Sequence, residues 1–336
     1  MTVNCQTFDQ SASQTGWSGQ NADTSTTYTS GTQGVYTIQV ALNPSTTYYW
    51  KSYAIDPAGS NSWSGTQATP NSFTTTDPPS APTSLLTQGT TNPTAITTLT
   101  PYFSAINNDI NGDSANYYQI QVNTNNTFTG TTMWDSGKTS MTTTANAARS
   151  PNITYAGSAL TFNGATYYWQ IRFWDTNSAT GTWSSAAQFT MNTPPLTPTL
   201  DSPADLATNQ SVSATLKTTT TDTNSDYLRY KIQICTDAAM TTGCQTIDQT
   251  VSQTGWSGQN TQSNTAYTSG TQAIYTIQTP LATTTTYYWR SYAIDPGGSN
   301  TWSGTQSPPH SFRTNVTAGT STFKASGINF GGININ

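Results

Sequence analysis

The sequence repeats itself over long stretches, and this repetition is the feature that most restricts how the chain can fold. Residues 1–75 align without a gap on residues 240–314, with about two thirds of the aligned positions identical. A more distant copy lies between them and carries the same aromatic skeleton at residues 165–189. A chain of 336 residues with such copies is expected to fold as an array of similar units. Pro-rich segments at residues 74–84 and 192–200 mark the junctions between units.

Within each unit, apolar and polar residues alternate over short segments. In the middle copy, for example, Tyr118, Ile120 and Val122 alternate with two glutamines. Period-two alternation predicts half-buried antiparallel strands. About one residue in five is Thr and 11% are aromatic, a composition that favours strands over helices. Roughly seven such runs per unit, separated by turn residues, predict a β-sandwich.

The approach to the long aromatic strand resembles the second half of a fibronectin type III domain. The residues that carry this resemblance are Leu42, Pro44, Thr46 and Tyr48 at period two, then Trp63, Ser64 and Phe73. The chain is similar to the divergent type III-like repeats of large bacterial cell-surface proteins. This resemblance implies an all-β tandem array of fibronectin type III-like, immunoglobulin-like β-sandwiches. It also implies a tyrosine corner at Tyr48, Tyr167 and Tyr287, where the hydroxyl bonds to nearby backbone.

We predict four segments. Residues 1–76 form an incomplete sandwich, residues 77–193 and 194–314 form complete ones, and residues 315–336 form a tail. The first sandwich is incomplete because about three of its seven strands have no counterpart ahead of Met1. An open core of on the order of 1,000 Å² would cost roughly 25 kcal/mol, more than the typical domain stability of about 5 to 15 kcal/mol. We therefore expect another segment to cover it.

The tail is the candidate cover. Apolar residues recur along it at Phe323, Ile328, Phe330, Ile333 and Ile335, the last four alternating with Asn and Gly. This pattern predicts a donor strand that pairs with the incomplete first sandwich of a neighbouring subunit and builds a head-to-tail homopolymer. The alternative is that the chain is a piece of a longer repeat protein whose partner strands lie upstream.

The three cysteines bear on the compartment. Cys235 ends one predicted strand and Cys244 begins the next, a spacing that a hairpin disulfide can close. Cys5 is the counterpart of Cys244 and has lost the strand that carries its partner, so we expect it to be unpaired or to bridge to another chain. A disulfide indicates an oxidising location, which predicts an extracellular or cell-surface protein.

Two matching acidic clusters precede predicted strands and are candidate calcium sites. Their members are Asp109, Asn111 and Asp113 in the middle copy, and Asp222, Asn224 and Asp226 in the third. Three oxygen side chains at alternate positions can wrap a hard cation. Asp and Asn are also common in turns that bind no metal, so both interpretations stay open. Calcium is the single candidate cofactor.

A stripe of aromatic residues is expected on the outer face of the long strand. It comprises Tyr49 and Tyr53 in the first copy and Tyr288 and Tyr292 in the third. Exposed aromatics can stack on sugars or pack against a neighbouring domain or subunit. We favour packing.

Several functions are disfavoured by the sequence. The charged fraction is 7% and the formal net charge is −5, which argues against nucleic-acid binding. No run of 18 apolar residues occurs, so no membrane span is predicted. We expect no enzyme, because there is one His and the Asp residues recur at matching turn positions, such as Asp56, Asp175 and Asp295.

Two functions therefore remain. The first is a non-enzymatic extracellular structural protein whose subunits assemble by strand complementation into a surface filament or array. The alternative is an adhesin or carbohydrate-binding segment of a longer repetitive surface protein, with glycans or other cell-surface components as partners.

Overall fold

The computed structural model describes residues 5–23, 25–260 and 265–315. Throughout these ranges the chain forms strands, turns and loops, and none of the described residues lies in a helix. Accordingly, this part of the chain contains no helix with the length and apolarity needed to cross a membrane. The predicted all-β class is confirmed.

The first copy contains four short strands in two separate pairs. They are β1 (Trp17–Ser18), β2 (Val35–Tyr36), β3 (Thr47–Trp50) and β4 (Asn71–Thr74). Strand β1 pairs with β2, and β3 pairs with β4, both antiparallel. Two isolated pairs bury little on their own. Among its described residues, the first copy therefore consists of two separate strand pairs.

The middle copy forms a complete two-sheet sandwich. Its strands are β5 (Ser80–Thr87), β6 (Tyr102–Asn108), β7 (Ala115–Asn123), β8 (Thr132–Asp135), β9 (Thr139–Thr144), β10 (Ile153–Thr154), β11 (Thr166–Asp175) and β12 (Ala187–Thr190). One sheet has the order β10-β6-β5 and the other β12-β11-β7-β8, with β9 also pairing with β7. Burial along β11 alternates with period two, because successive side chains point to opposite faces.

The third copy is a second complete sandwich. Its strands are β13 (Thr199–Ser202), β14 (Ala207–Gln210), β15 (Thr215–Thr219), β16 (Arg229–Cys235), β17 (Gln245–Asp248), β18 (Trp256–Ser257), β19 (Ala273–Thr276), β20 (Thr286–Ile294) and β21 (His310–Thr314). The sheets have the orders β13-β15-β19-β18 and β14-β21-β20-β16-β17. Four strands, β13 to β16, precede Met240.

Each complete sandwich is built around a buried tryptophan of its long strand. Trp169 in the middle sandwich and Trp289 in the third are fully buried. The predicted tyrosine corner is present in two copies. The backbone N–H of Asn43 donates to the Tyr48 hydroxyl at 2.9 Å, and that of Ala282 donates to the Tyr287 hydroxyl at 3.0 Å. The corners hold the turn before the long strand in the same shape.

Candidate functional site

An acidic cluster lies where β7 begins and β11 ends in the middle sandwich. We call Asp109, Asp113 and Asp175 the middle cluster; each offers a carboxylate oxygen, and these oxygens lie within 4.8 Å of one another. The loop is shaped by Asp109, whose Oδ1 accepts the backbone N–H of Asn111 at 2.8 Å and that of Asp113 at 3.1 Å. These bonds are typical of Asx turns.

The third sandwich repeats this arrangement. Asp222, Asp226 and Asp295 form the third cluster, again with carboxylate oxygens within 4.8 Å of one another. The Oδ1 atom of Asp222 accepts the backbone N–H of Asn224 at 2.8 Å and that of Asp226 at 3.2 Å. The loop geometry of the two clusters is therefore the same, bond for bond.

Most of these carboxylates are withdrawn from water. Asp109 and Asp222 are 5% exposed, and Asp175 and Asp295 are fully buried. The Oδ2 atoms of Asp109, Asp175 and Asp222 are buried and accept no hydrogen bond. A buried carboxylate oxygen without a partner is costly. Each cluster thus leaves oxygen atoms free for a ligand.

The electrostatics of the third cluster are unfavourable without a cation. Burial raises the pKa of Asp222 above its ordinary value of 3.8, and the nearby charges of Asp295 and Asp226 raise it further. The backbone N–H groups of Asp226 and Asn224 act in the opposite direction, and they offset the rise only in part. The hydrogen bonds that the protein donates to Asp222 therefore do not fully compensate the negative charge of the third cluster.

The loop of each cluster contacts the linker ahead of its sandwich through an asparagine. The Oδ1 atom of Asn111 accepts the backbone N–H of Asp77 at 2.6 Å. At the next junction, the Oδ1 atom of Asn224 accepts the backbone N–H and the hydroxyl of Thr193, each at 2.9 Å. The two asparagines predicted as metal ligands therefore use their side-chain oxygen to hold the linker.

The third cluster also touches the preceding sandwich directly. Asn192, which follows β12, is buried, and its Nδ2 donates to Oδ2 of Asp226 at 2.8 Å. Its Oδ1 atom is buried without a partner. A Cβ atom on Gly298 would lie 2.3 Å from Oδ2 of Asp295, 2.4 Å from Oδ2 of Asp226 and 3.0 Å from this Oδ1. Only glycine leaves these three oxygens uncovered.

Asp175 and Asp295 were predicted from the sequence as turn residues, and their place in the clusters was not predicted. The missing information was the pairing of the strands, which local sequence patterns do not specify. Asp175 ends β11, which runs antiparallel to β7, and it lies opposite Ala115, two residues after Asp113. An acidic residue at the end of one strand must approach an acidic loop at the start of its antiparallel partner.

The predicted disulfide is present at the end of the β16–β17 hairpin, where Cys235 and Cys244 are bonded. Cys235 is buried, and Cys5 is a free and exposed cysteine. The disulfide links the end of β16 to the residue directly before β17. This arrangement supports an extracytoplasmic location.

The aromatic stripe differs between copies. Tyr49 and Tyr53 are 61% and 56% exposed, whereas Tyr288 and Tyr292 are half-buried. The Lys231 ammonium lies 4.9 Å from the centre of the Tyr292 ring. In the third sandwich the stripe is therefore partly covered by the chain's own cationic side chains.

The first copy exposes side chains that are buried at the matching positions of the third. Trp50 and Phe73 are 49% and 40% exposed, whereas their counterparts Trp289 and Phe312 are 0% and 1% exposed. Phe8, Trp17 and Tyr36 line an open groove of about 360 Å³ on the same copy; its other lining residues are Thr7, Asp9, Ala12, Ser13, Thr15 and Gln39. Because Trp50 and Phe73 align with core residues of the third copy, we call their exposed surface the open core face of the first copy.

The predicted donor strand cannot be placed against this face. Its residues Phe323, Ile328, Phe330, Ile333 and Ile335 lie outside the described part of the chain. The donor strand stays a prediction.

Comparison with known proteins places an immunoglobulin-like domain in the chain. Residues 82–193 match the family model of the Rha78A-like, N-terminal immunoglobulin domain. No curated protein matches the chain. The predicted type III-like sandwich is thus confirmed at the coarser level of an immunoglobulin-like fold.

Solved structures give distant similarities only. The α-L-rhamnosidase of Dictyoglumus thermophilum is 14% identical with a TM-score of 0.28, over 66% of this chain and 28% of that one. The Streptomyces avermitilis α-L-rhamnosidase complexed with L-rhamnose is 15% identical with a TM-score of 0.29, over 71% and 26%. The FN1-FN3 domains of chicken CNTN1 are 12% identical with a TM-score of 0.25, over 84% and 81%. The chain spans about a quarter of the length of the two rhamnosidases.

Proposed function

We propose that this chain is a non-enzymatic structural protein of the cell surface, in which immunoglobulin-like sandwiches act as spacers and subunits join head to tail. The observation that carries the proposal is the open core face of the first copy. Trp50 and Phe73 occupy core positions and are about half exposed. Apolar surface of this kind marks an interaction site.

The proposed cover is the tail of a second copy of the chain. Strand addition fits because β3 and β4 form an isolated pair, and edge strands offer unpaired backbone groups to an incoming strand. Ile328 and Phe330 lie two residues apart in the tail, so in a strand they would enter the open face together. A contact between different ends of two subunits repeats without closing and yields a filament.

The non-enzymatic part of the proposal is supported by how the acidic residues are used. Asp56 accepts hydrogen bonds from Ser60 within its own turn, and the buried Asp residues belong to the two junction clusters. The location at the cell surface is supported by the Cys235–Cys244 disulfide.

The test is the oligomeric state of the purified full chain, measured by light scattering and electron microscopy. We expect filaments for the natural sequence and soluble monomers for Phe330→Asp, because a charge would enter the core. The matched control is Asn329→Asp, which adds the same charge on the opposite face of the strand and should still polymerise. A natural chain that stays monomeric, or filaments that persist after removal of residues 320–336, would contradict the proposal.

A carbohydrate-binding function is the second candidate, and the exposed rings of Tyr49 and Tyr53 favour it. Exposed aromatic rings can stack on sugars. Retention of the full chain on a glycan array, lost in the Tyr49→Ala and Tyr53→Ala double variant, would support this function. Retention that is unchanged in the double variant would exclude these residues as the site.

A further inference from the structure

We propose that the middle cluster and the third cluster each bind one calcium ion, and that the ion ties the linker to the sandwich that follows. The inference concerns the junctions within one chain. It does not depend on how subunits assemble or on the tail.

The first argument is charge. Each cluster brings three carboxylates within 4.8 Å of one another, and two of the three in each are at least nine-tenths buried. Like charges at this separation repel, and burial strengthens the repulsion. A divalent cation at the centre attracts all three carboxylates, and burial then strengthens this attraction.

Several carboxylate oxygens of the clusters have no partner within the protein. The Oδ1 atoms of Asp109 and Asp222 are used by the Asx turns, whereas their Oδ2 atoms are buried and accept nothing. The same holds for Oδ2 of Asp175, whose Oδ1 accepts the backbone N–H of Ala179. Asp109, Asp175 and Asp222 thus each leave one oxygen for a ligand, whereas both oxygens of Asp295 accept hydrogen bonds from Ser299.

The chemistry of the donor atoms identifies the ion. The donors are carboxylate and amide oxygens, with no imidazole or thiolate in either cluster, which suits a hard cation. Calcium accepts six to eight oxygen ligands in flexible geometry, whereas magnesium demands a near-ideal octahedron. Each cluster supplies up to three carboxylates, and at the third cluster the free Oδ1 of Asn192 adds an amide oxygen. Water can complete the shell.

The two clusters and the position of Asp56 define a controlled experiment. Asp56 is the first-copy counterpart of Asp175 and Asp295, and it belongs to no acidic cluster among the described residues. Calcium chloride is titrated by calorimetry into the chelator-treated full chain. We expect two ions for the natural chain, one for Asp175→Asn, one for Asp295→Asn and none for the double variant. Asp56→Asn should still bind two.

A second measurement distinguishes the loss of calcium binding from the loss of the fold in a variant. Calcium at a hundredfold its Kd should lower the unfolding equilibrium constant of a sandwich about a hundredfold, which appears as a rise in Tm. Asp113→Asn and Asp226→Asn test the same sites at half-buried positions, where the fold tolerates change more readily. Far-ultraviolet circular dichroism confirms that each variant is folded.

Three results would overturn the proposal. The first is no heat and no change in Tm when calcium is added to the natural chain. The second is an unchanged stoichiometry in the folded Asp175→Asn and Asp295→Asn double variant. The third is an equal response to magnesium chloride at the same concentration, which would remove the assignment to calcium.

Discussion

Asp222 is a residue whose charge works against the fold. Burial is the first cause of its raised pKa, and the charges of Asp295 and Asp226 add to it. A carboxyl whose pKa is higher in the folded than in the unfolded protein stabilises the fold below the unfolded value, and this contribution is lost as the pH rises through the folded value. In chelator at neutral pH, ionised Asp222 therefore destabilises the third sandwich, and acidification relieves this effect.

Asp222→Asn is expected to stabilise the chelator-treated protein and to abolish the calcium response of the third sandwich. The amide oxygen can keep the Asx bonds to Asn224 and Asp226, and the amide nitrogen replaces the unpartnered oxygen. A gain of about 1 kcal/mol would raise Tm by roughly 3 to 6 °C for a domain of this size. Thermal melts in chelator and in calcium measure both effects.

Asp237→Asn provides the control of opposite sign in the same sandwich. The pKa of Asp237 is lowered, first by the backbone N–H of Thr242 and then by the hydroxyl of Thr241. Its carboxylate is therefore stabilised in the fold, and its loss should lower Tm with or without calcium. A fall in Tm for Asp222→Asn in chelator would show that the cluster is not repulsive.

The β16–β17 hairpin is the element that the disulfide reinforces. Cys235 and Cys244 are separated by nine positions, and they close the turn between the two strands. Cross-linking a loop of this length restricts the unfolded chain and contributes about 2 to 3 kcal/mol. The stabilisation should belong to the third sandwich alone, because Cys5 is free.

Replacing both cysteines, Cys235→Ala and Cys244→Ala, should lower the Tm of the third sandwich and leave that of the middle one unchanged. Calorimetric scans separate the two transitions, and a reducing agent should reproduce the shift in the natural chain. Cys5→Ala is the control and should change neither transition. Peptide mapping without reduction that found Cys235 and Cys244 as free thiols would contradict this account.

At the scale of strands, the sequence correctly predicts features that follow from period-two alternation and from turn residues, such as strands and hairpins. The alternation of Tyr118, Ile120 and Val122 correctly predicted a strand within β7, and the Cys235 to Cys244 spacing correctly suggested a hairpin. The joining of Asp175 to Asp109 and Asp113 was missed because it depends on the pairing of β7 with β11. Strand pairing is a long-range property that local patterns do not encode.

The exposure of apolar residues in the first copy was predicted from the repeat. Trp50 and Phe73 align with the buried Trp289 and Phe312 and have the same apolar side chains. The half-buried state of Tyr292 was not predicted. It depends on Lys231, which lies on the neighbouring strand β16 and reaches over the ring. Alternation predicts on which face of the sheet a side chain lies, but it does not predict which side chains from neighbouring strands cover it.

At the scale of the whole molecule, the two junctions are built differently around the same loop. Asn192 of the middle sandwich bonds to Asp226 of the third, whereas the matching position ahead of the middle sandwich is Thr76. Threonine has a shorter side chain with one hydroxyl and no amide group, so it cannot supply the amide donor and amide oxygen of Asn192. The second junction therefore has one more direct link between its two sandwiches than the first.

Asn192→Thr should loosen the second junction and make it resemble the first. Loss of one hydrogen bond to the half-buried carboxylate of Asp226, about 1 kcal/mol, corresponds to a roughly fivefold larger population of the open linker. We expect subtilisin to cut within residues 192–200 about five times faster, and small-angle scattering in calcium to show a broader range of separations between the sandwiches. Asn315→Thr, at the same position of the third sandwich, should alter neither measurement. If chelator and Asn192→Thr both leave the cleavage rate unchanged, the junction is held by the Thr193–Asn224 bonds alone, and neither Asn192 nor the proposed calcium ion restrains it.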